Sequence, residues 1–132
     1  MASILVVDDD PDFRDWAATI LRQRGHEVLA TSSARFMVEP PHGPQQSLTF
    51  DVAIIDMIMP EVDGIEAIRA LRTLSPSTRV VAMSGGGDYG DAEGYLRMAE
   101  RFGAVGRLAK PFAGPDLCEA VARAVANRDA CR

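Results

Sequence analysis

The feature that most constrains this chain is its opening. Four consecutive apolar residues, Ile4, Leu5, Val6 and Val7, stop abruptly at three aspartates, Asp8, Asp9 and Asp10. An apolar run without polar alternation is the pattern of a parallel strand covered on both faces. Similar runs recur at Asp51–Asp56, Arg79–Ser84 and Val105–Ala109, with a weaker one over residues 26–31. Helical patterns lie between them. Strictly alternating strand and helix signals predict an α/β chain, with a parallel sheet and helices on both faces.

The helical segments carry their own boundaries. Asp10 can cap the first helix, Pro11 suits its first position, and Phe13, Trp16, Ala17, Ile20 and Leu21 then recur on one face. Gly25 ends it. A second helix beginning near Ser33 should be short, because Pro40, Pro41, Gly43 and Pro44 interrupt it. Further helices are predicted over Ile65–Leu74, from about Asp91 to Phe102, and after Lys110-Pro111. In the second of these Tyr95, Met98, Ala99 and Phe102 share a face, and the last carries Leu117, Val121, Ala124 and Val125 inward.

Length and charge narrow the function classes. A chain of 132 residues has the size of one domain, and no linker or internal repeat divides it, so residues 1–132 are expected to form a single unit. The net charge of −5, with no basic stripe, disfavours direct nucleic-acid binding. No run is long enough to span a bilayer, and Ile4–Val7 lacks the basic leader of a signal peptide. Cys118 and Cys131 have no metal-ligand spacing and fit reduced thiols in the cytoplasm. His26 and His42 are isolated and read as structural.

Polar residues stand where the predicted strands end: Asp8 and Asp9 after the first, Asp56 at the third, Ser84 at the fourth and Lys110 at the fifth. Singly, each has an ordinary reading, as a helix cap, turn residue, loop donor or solvated charge. Together they occupy the carboxyl edge of the sheet, where open parallel sheets bind ligands. Three carboxylates gathered there repel one another unless a cation joins them. The donors are all oxygens, which selects Mg²⁺ or Mn²⁺ over zinc. Mg²⁺ shares its shell readily with phosphate, Lys110 adds positive charge and Ser84 a hydroxyl donor, so the set suits phosphoryl transfer onto the centrally placed Asp56.

These residues resemble the receiver domains of two-component response regulators, over roughly residues 3–128. The resemblance rests on Ile4–Asp10, on Asp56-Met57-Ile58-Met59-Pro60 with Asp63-Gly64, on Ser84, on Gly103-Ala104 and on Lys110-Pro111-Phe112. It implies a doubly wound, five-stranded parallel sheet of flavodoxin-like order 2-1-3-4-5. It implies that Asp56 takes phosphate from a histidine kinase or histidine phosphotransfer protein and that Asp8, Asp9, Asp56 and the Ile58 carbonyl hold Mg²⁺. Ser84 and Lys110 would contact the phosphoryl group, and a cis Lys110-Pro111 bond would shape the turn. Such a protein is a switch that shows a changed surface to a downstream effector, not a conventional turnover enzyme. The family's aromatic residue three positions before the lysine is here Arg107, which reads as a solvated charge. No output region follows the last helix, so a partner, or a larger protein from which this chain comes, is expected to carry the response.

Two other readings use the same residues. Asp8-Asp9-Asp10 contains the DxD spacing of small Mg²⁺-dependent phosphatases resembling the haloacid dehalogenase superfamily, but Asp56 would then have no part. Alternatively, a receiver-like fold could serve as a docking module without phosphorylation. The Gly85–Gly90 segment matches GxGxxG, yet the next strand ends in Lys110 where a ribose-binding acid belongs. A flexible loop is the better reading.

Overall fold

The computed structural model describes residues 2–32, 50–57, 64–85 and 92–130. Five strands, β1 (Ser3–Val7), β2 (Glu27–Thr31), β3 (Val52–Asp56), β4 (Arg79–Gly85) and β5 (Gly106–Lys110), form one parallel sheet in the order β2-β1-β3-β4-β5. Four helices are described: α1 (Pro11–Gln23), α2 (Gly64–Leu74), α3 (Ala92–Arg101) and α4 (Gly114–Ala130). The α/β class, the strand order and the five strands agree with expectation. The segment predicted to hold a short, proline-broken helix lies outside the described residues, as do the Ile58 carbonyl and the glycine-rich loop from Gly86 to Gly90.

Alternation within the strands explains why both faces need helices. Leu5, Val7, Ala53, Ile55 and Ala82 point to one side, against Ala67, Ile68 and Leu71 of α2 and Leu96 and Ala99 of α3. Ile4, Val6, Ile54, Val81 and Met83 point to the other, against Ala17 and Leu21 of α1 and Leu117, Val121 and Ala124 of α4. All five residues of β3 are buried, which fixes the centre of the sheet and carries Asp56 to the middle of its carboxyl edge. Full burial of one such aliphatic side chain contributes about 1.5–3 kcal/mol. The faces therefore hold the strand ends in place far more firmly than any contact at the rim.

Helix α3 differs from its sequence reading. Leu96 and Ala99 are the buried pair, whereas Tyr95, Met98 and Phe102 are 40%, 47% and 40% exposed. Ala99 lies between two overlapping apolar stripes, and the sheet selects the one with the smaller side chains. Phe102 instead lies under the Arg69 guanidinium of α2, 5.9 Å from the ring centroid. Gly103 follows with φ +117°, a conformation that favours glycine at the turn, and a Cβ there would also have to displace the Arg72 side chain, whose Nη1 would lie at 2.6 Å.

Candidate functional site at the carboxyl edge of the sheet

Strand register sets the layout of the site. Val7 is level with Ile55, so Asp8 leaves β1 at the height where Asp56 ends β3. Asp56 is level with Met83, placing Ser84 one residue further out on β4, and Lys110 is level with Gly85 on β5. Residues distant in sequence thus form one rim because four parallel strands end in step.

Local hydrogen bonds hold Asp8 firmly. Its side chain is fully buried, its Oδ1 accepts from the Asp10 amide at 2.9 Å, and its backbone carbonyl accepts from Arg14 Nη1 at 2.8 Å. The next turn repeats the device: Asp10 Oδ1 accepts from the Asp12 amide at 3.0 Å, which caps α1, with Pro11 at the first helical turn. Asp9 is exposed, while Asp56 is 6% exposed. Carboxylate oxygens of Asp8, Asp9 and Asp56 all lie within 4.8 Å of one another.

Lys110 reaches into this group. Its Nζ donates to Asp8 Oδ2 and stands 3.6 Å from Asp56 Oδ2. Two unit charges at the separation of the carboxylates repel by about 3 kcal/mol at the effective dielectric of a protein edge. One ammonium among three carboxylates offsets only part of that repulsion. The remaining excess of two negative charges, on oxygen donors alone, matches a hard divalent cation. Ser84 adds an independent sign of a ligand: it is fully buried, yet its Oγ has no hydrogen-bond partner among the described residues. A buried hydroxyl left unpaired costs about 1–3 kcal/mol, which a ligand oxygen at the rim would relieve.

All five strand-end residues, Asp8, Asp9, Asp56, Ser84 and Lys110, therefore occupy the same edge. The Lys110-Pro111 peptide is cis. Arg107, by contrast, pairs with Glu100 at 3.7 Å with both side chains more than 40% exposed, so the surface-charge reading holds. Sequence reasoning missed one neighbour. Phe13, read only as a core-facing residue of α1, places its ring centroid 4.3 Å from Lys110 Nζ.

Residues 4–122 match the family model of the response regulator receiver domain. The chain belongs to that family. Over 124 residues it is 33% identical to the DNA-binding transcriptional regulator NtrC of Azospirillum brasilense, covering 94% of this chain and 24% of that protein. It is 27% identical to the chemotaxis protein CheY of Listeria monocytogenes, over 94% of this chain and 98% of the relative. Among solved structures, a response regulator receiver domain protein from Clostridium thermocellum superposes with a TM-score of 0.81 at 29% identity, over the whole of both chains. NtrX from Brucella abortus gives 0.84 at 28% identity, over 99% of this chain and 28% of the larger one. The chain spans about a quarter to three-fifths of the length of several regulatory proteins it matches. This receiver domain thus belongs to a family of phosphorylation-dependent signalling switches rather than of turnover enzymes.

Proposed function

We propose that Asp56 is the phosphoacceptor of this receiver domain, with Asp8 and Asp9 as its metal-holding partners and Ser84 and Lys110 as its phosphoryl contacts. The observation that carries the reading is the gathering of three carboxylates and one ammonium around the end of the central strand. An Asp56 carboxylate oxygen attacks phosphorus, forming a P–O bond as the P–N bond of a donor phosphohistidine breaks. The departing imidazole keeps the bonding pair and takes up a proton. The product is an acyl phosphate.

Each residue has a physical task in that exchange. An anionic nucleophile must approach an anionic phosphoryl group, so positive charge and fixed donors are needed around the transferred oxygens. Lys110 supplies a charge already close to Asp56. Ser84 supplies a hydroxyl with unspent donor capacity. Asp8, Asp9 and Asp56, with the Ile58 carbonyl from outside the described residues, would hold Mg²⁺, or Mn²⁺ in its place. When bound, that ion neutralises carboxylate charge and binds a phosphoryl oxygen.

The unit acting in this way is residues 1–132 as one domain. Its donor is a histidine kinase or histidine phosphotransfer protein, its reader is a downstream effector protein, and its setting is the cytoplasm. No helix among the described residues is long and apolar enough to cross a membrane. With Mg²⁺ and acetyl phosphate, mass spectrometry should find a single acid-stable, base-labile phosphate, and Asp56→Asn should abolish it. Phosphate retained by Asp56→Asn would overturn the assignment. Repeated turnover of a phosphate ester would favour a phosphatase.

A further inference from the structure

Among the described residues the Lys110 ammonium has Asp8, Asp56 and Phe13 beside it, and they behave differently when the site is loaded. Asp8 and Asp56 are carboxylates that a cation or a phosphoryl group competes for. The Phe13 ring, 4.3 Å from Nζ, neither titrates nor binds metal. Its negative face attracts an ammonium within about 6 Å, and more strongly where the pair is partly withdrawn from water. Lys110 has a side-chain exposure of 24%, so this pair is so placed.

The ring is itself held. Phe13 meets Phe112 edge-on at 5.9 Å and 81°, and Trp16 at 5.6 Å, while Trp16 closes the triangle on Phe112 at 6.0 Å. Phe13 and Trp16 come from the start of α1, and Phe112 comes from two residues beyond Lys110. The cluster therefore joins the two segments that carry Asp8 and Lys110. Phe13 is partly buried, and its place is set by these ring contacts together with packing against the core cluster of that face.

We propose that Phe13 is a positioning residue for phosphoryl transfer, its ring keeping the Lys110 ammonium beside Asp56 when metal and phosphoryl group engage the carboxylates. This rests on the assignment of Asp56 as phosphoacceptor. Lysine has a long, flexible stem, and without the ring an ammonium released from Asp8 samples positions away from the reacting oxygens. A leucine at position 13 fills similar space but has no ring face.

The test compares wild type, Phe13→Leu, Phe13→Met and Phe13→Tyr. In the metal-free protein, ring-current shielding should move the NMR signals of the Lys110 ε-methylene protons upfield in wild type and Phe13→Tyr and release them in Phe13→Leu. With Mg²⁺ and saturating acetyl phosphate, Phe13→Leu should be phosphorylated about fivefold more slowly, the loss that one cation–π contact of ordinary size produces. Phe13→Tyr should restore the rate, and Phe13→Leu should add nothing to Lys110→Ala. Phe13→Met supplies the same comparison if leucine disturbs folding. A wild-type rate in Phe13→Leu, or a full additional loss in the Lys110→Ala background, overturns the proposal. Failure of wild type to accept phosphate would instead refute the role of Asp56, and the proton shifts would still decide whether the ring holds the lysine.

Discussion

Helices α1 and α3 both follow a strand that ends at the rim, and both carry partly exposed aromatic residues, yet those residues do different things. On α1, Phe13 and Trp16 close against Phe112, and Phe13 faces the ammonium of Lys110. On α3, Tyr95 and Met98 are 40% and 47% exposed, and among the described side chains Leu96 and Ala99 seal the sheet. Phe102, just past its end, also has a cation over its ring, but that cation is Arg69 of α2 and not a rim residue. The use of a surface aromatic is decided by the segment lying across from it. Across from α1 lies Lys110, the lysine of the rim.

The sharpest way to break this contrast is to remove the lysine. Lys110→Ala should retain metal binding but slow phosphate uptake by on the order of 10²-fold, because a fixed positive charge at the transferred oxygens is lost. Time-resolved phosphorylation with a metal titration in parallel checks both halves, and an unchanged rate would remove Lys110 from the chemistry. A second comparison divides α3 itself. Leu96→Ala should destabilise by about 3 kcal/mol through the cavity it leaves, while Met98→Ala should stay within about 0.5 kcal/mol. Denaturant unfolding measures both, and equal losses would mean that α3 packs on its other face.

How much of this was legible beforehand follows the same division. Apolar runs ending in Asp8, Asp56, Ser84 and Lys110 exposed the sheet and its edge, because burial on both faces removes polar alternation and leaves the terminus conspicuous. Asp10, Pro11 and Gly25 marked the ends of α1 by local rules, and Gly25 indeed takes φ +89°. The inward face of α3 was not legible. Its apolar residues satisfy two stripes, and only the sheet beneath chooses between them. Nor could the Phe13–Lys110 contact be read, since 97 residues separate the pair and their meeting depends on β1 and β5 ending at the same edge. Unpaired Ser84 is a property of surroundings, which no local pattern encodes.

The smallest expected effect contrasts the far ends of the two helices. Beyond α1, His26 Nδ1 accepts from the Ala2 amide at 3.0 Å, whereas Gly103 and Ala104 beyond α3 cannot titrate. Burial, and secondarily the positive chain terminus, hold the His26 pKa below its ordinary value. Because the folded pKa is the lower one, this contribution to stability is complete above about pH 6.5 and declines as pH falls below it. Unfolding measured at about pH 7.5 and about pH 5.5 should show a small loss that His26→Gln removes. A loss of the same size in His26→Gln would assign it to other groups.

Asp8 carries a further consequence. One of its oxygens is tied to the amide of Asp10 and its carbonyl to Arg14, so this carboxylate reaches its working orientation when the backbone does. Asp9 has no comparable burial. An ion held as proposed would meet one carboxylate already anchored by the backbone, Asp8, and one open to solvent, Asp9, so its recruitment would call for a change of partner rather than a rebuilding of the rim.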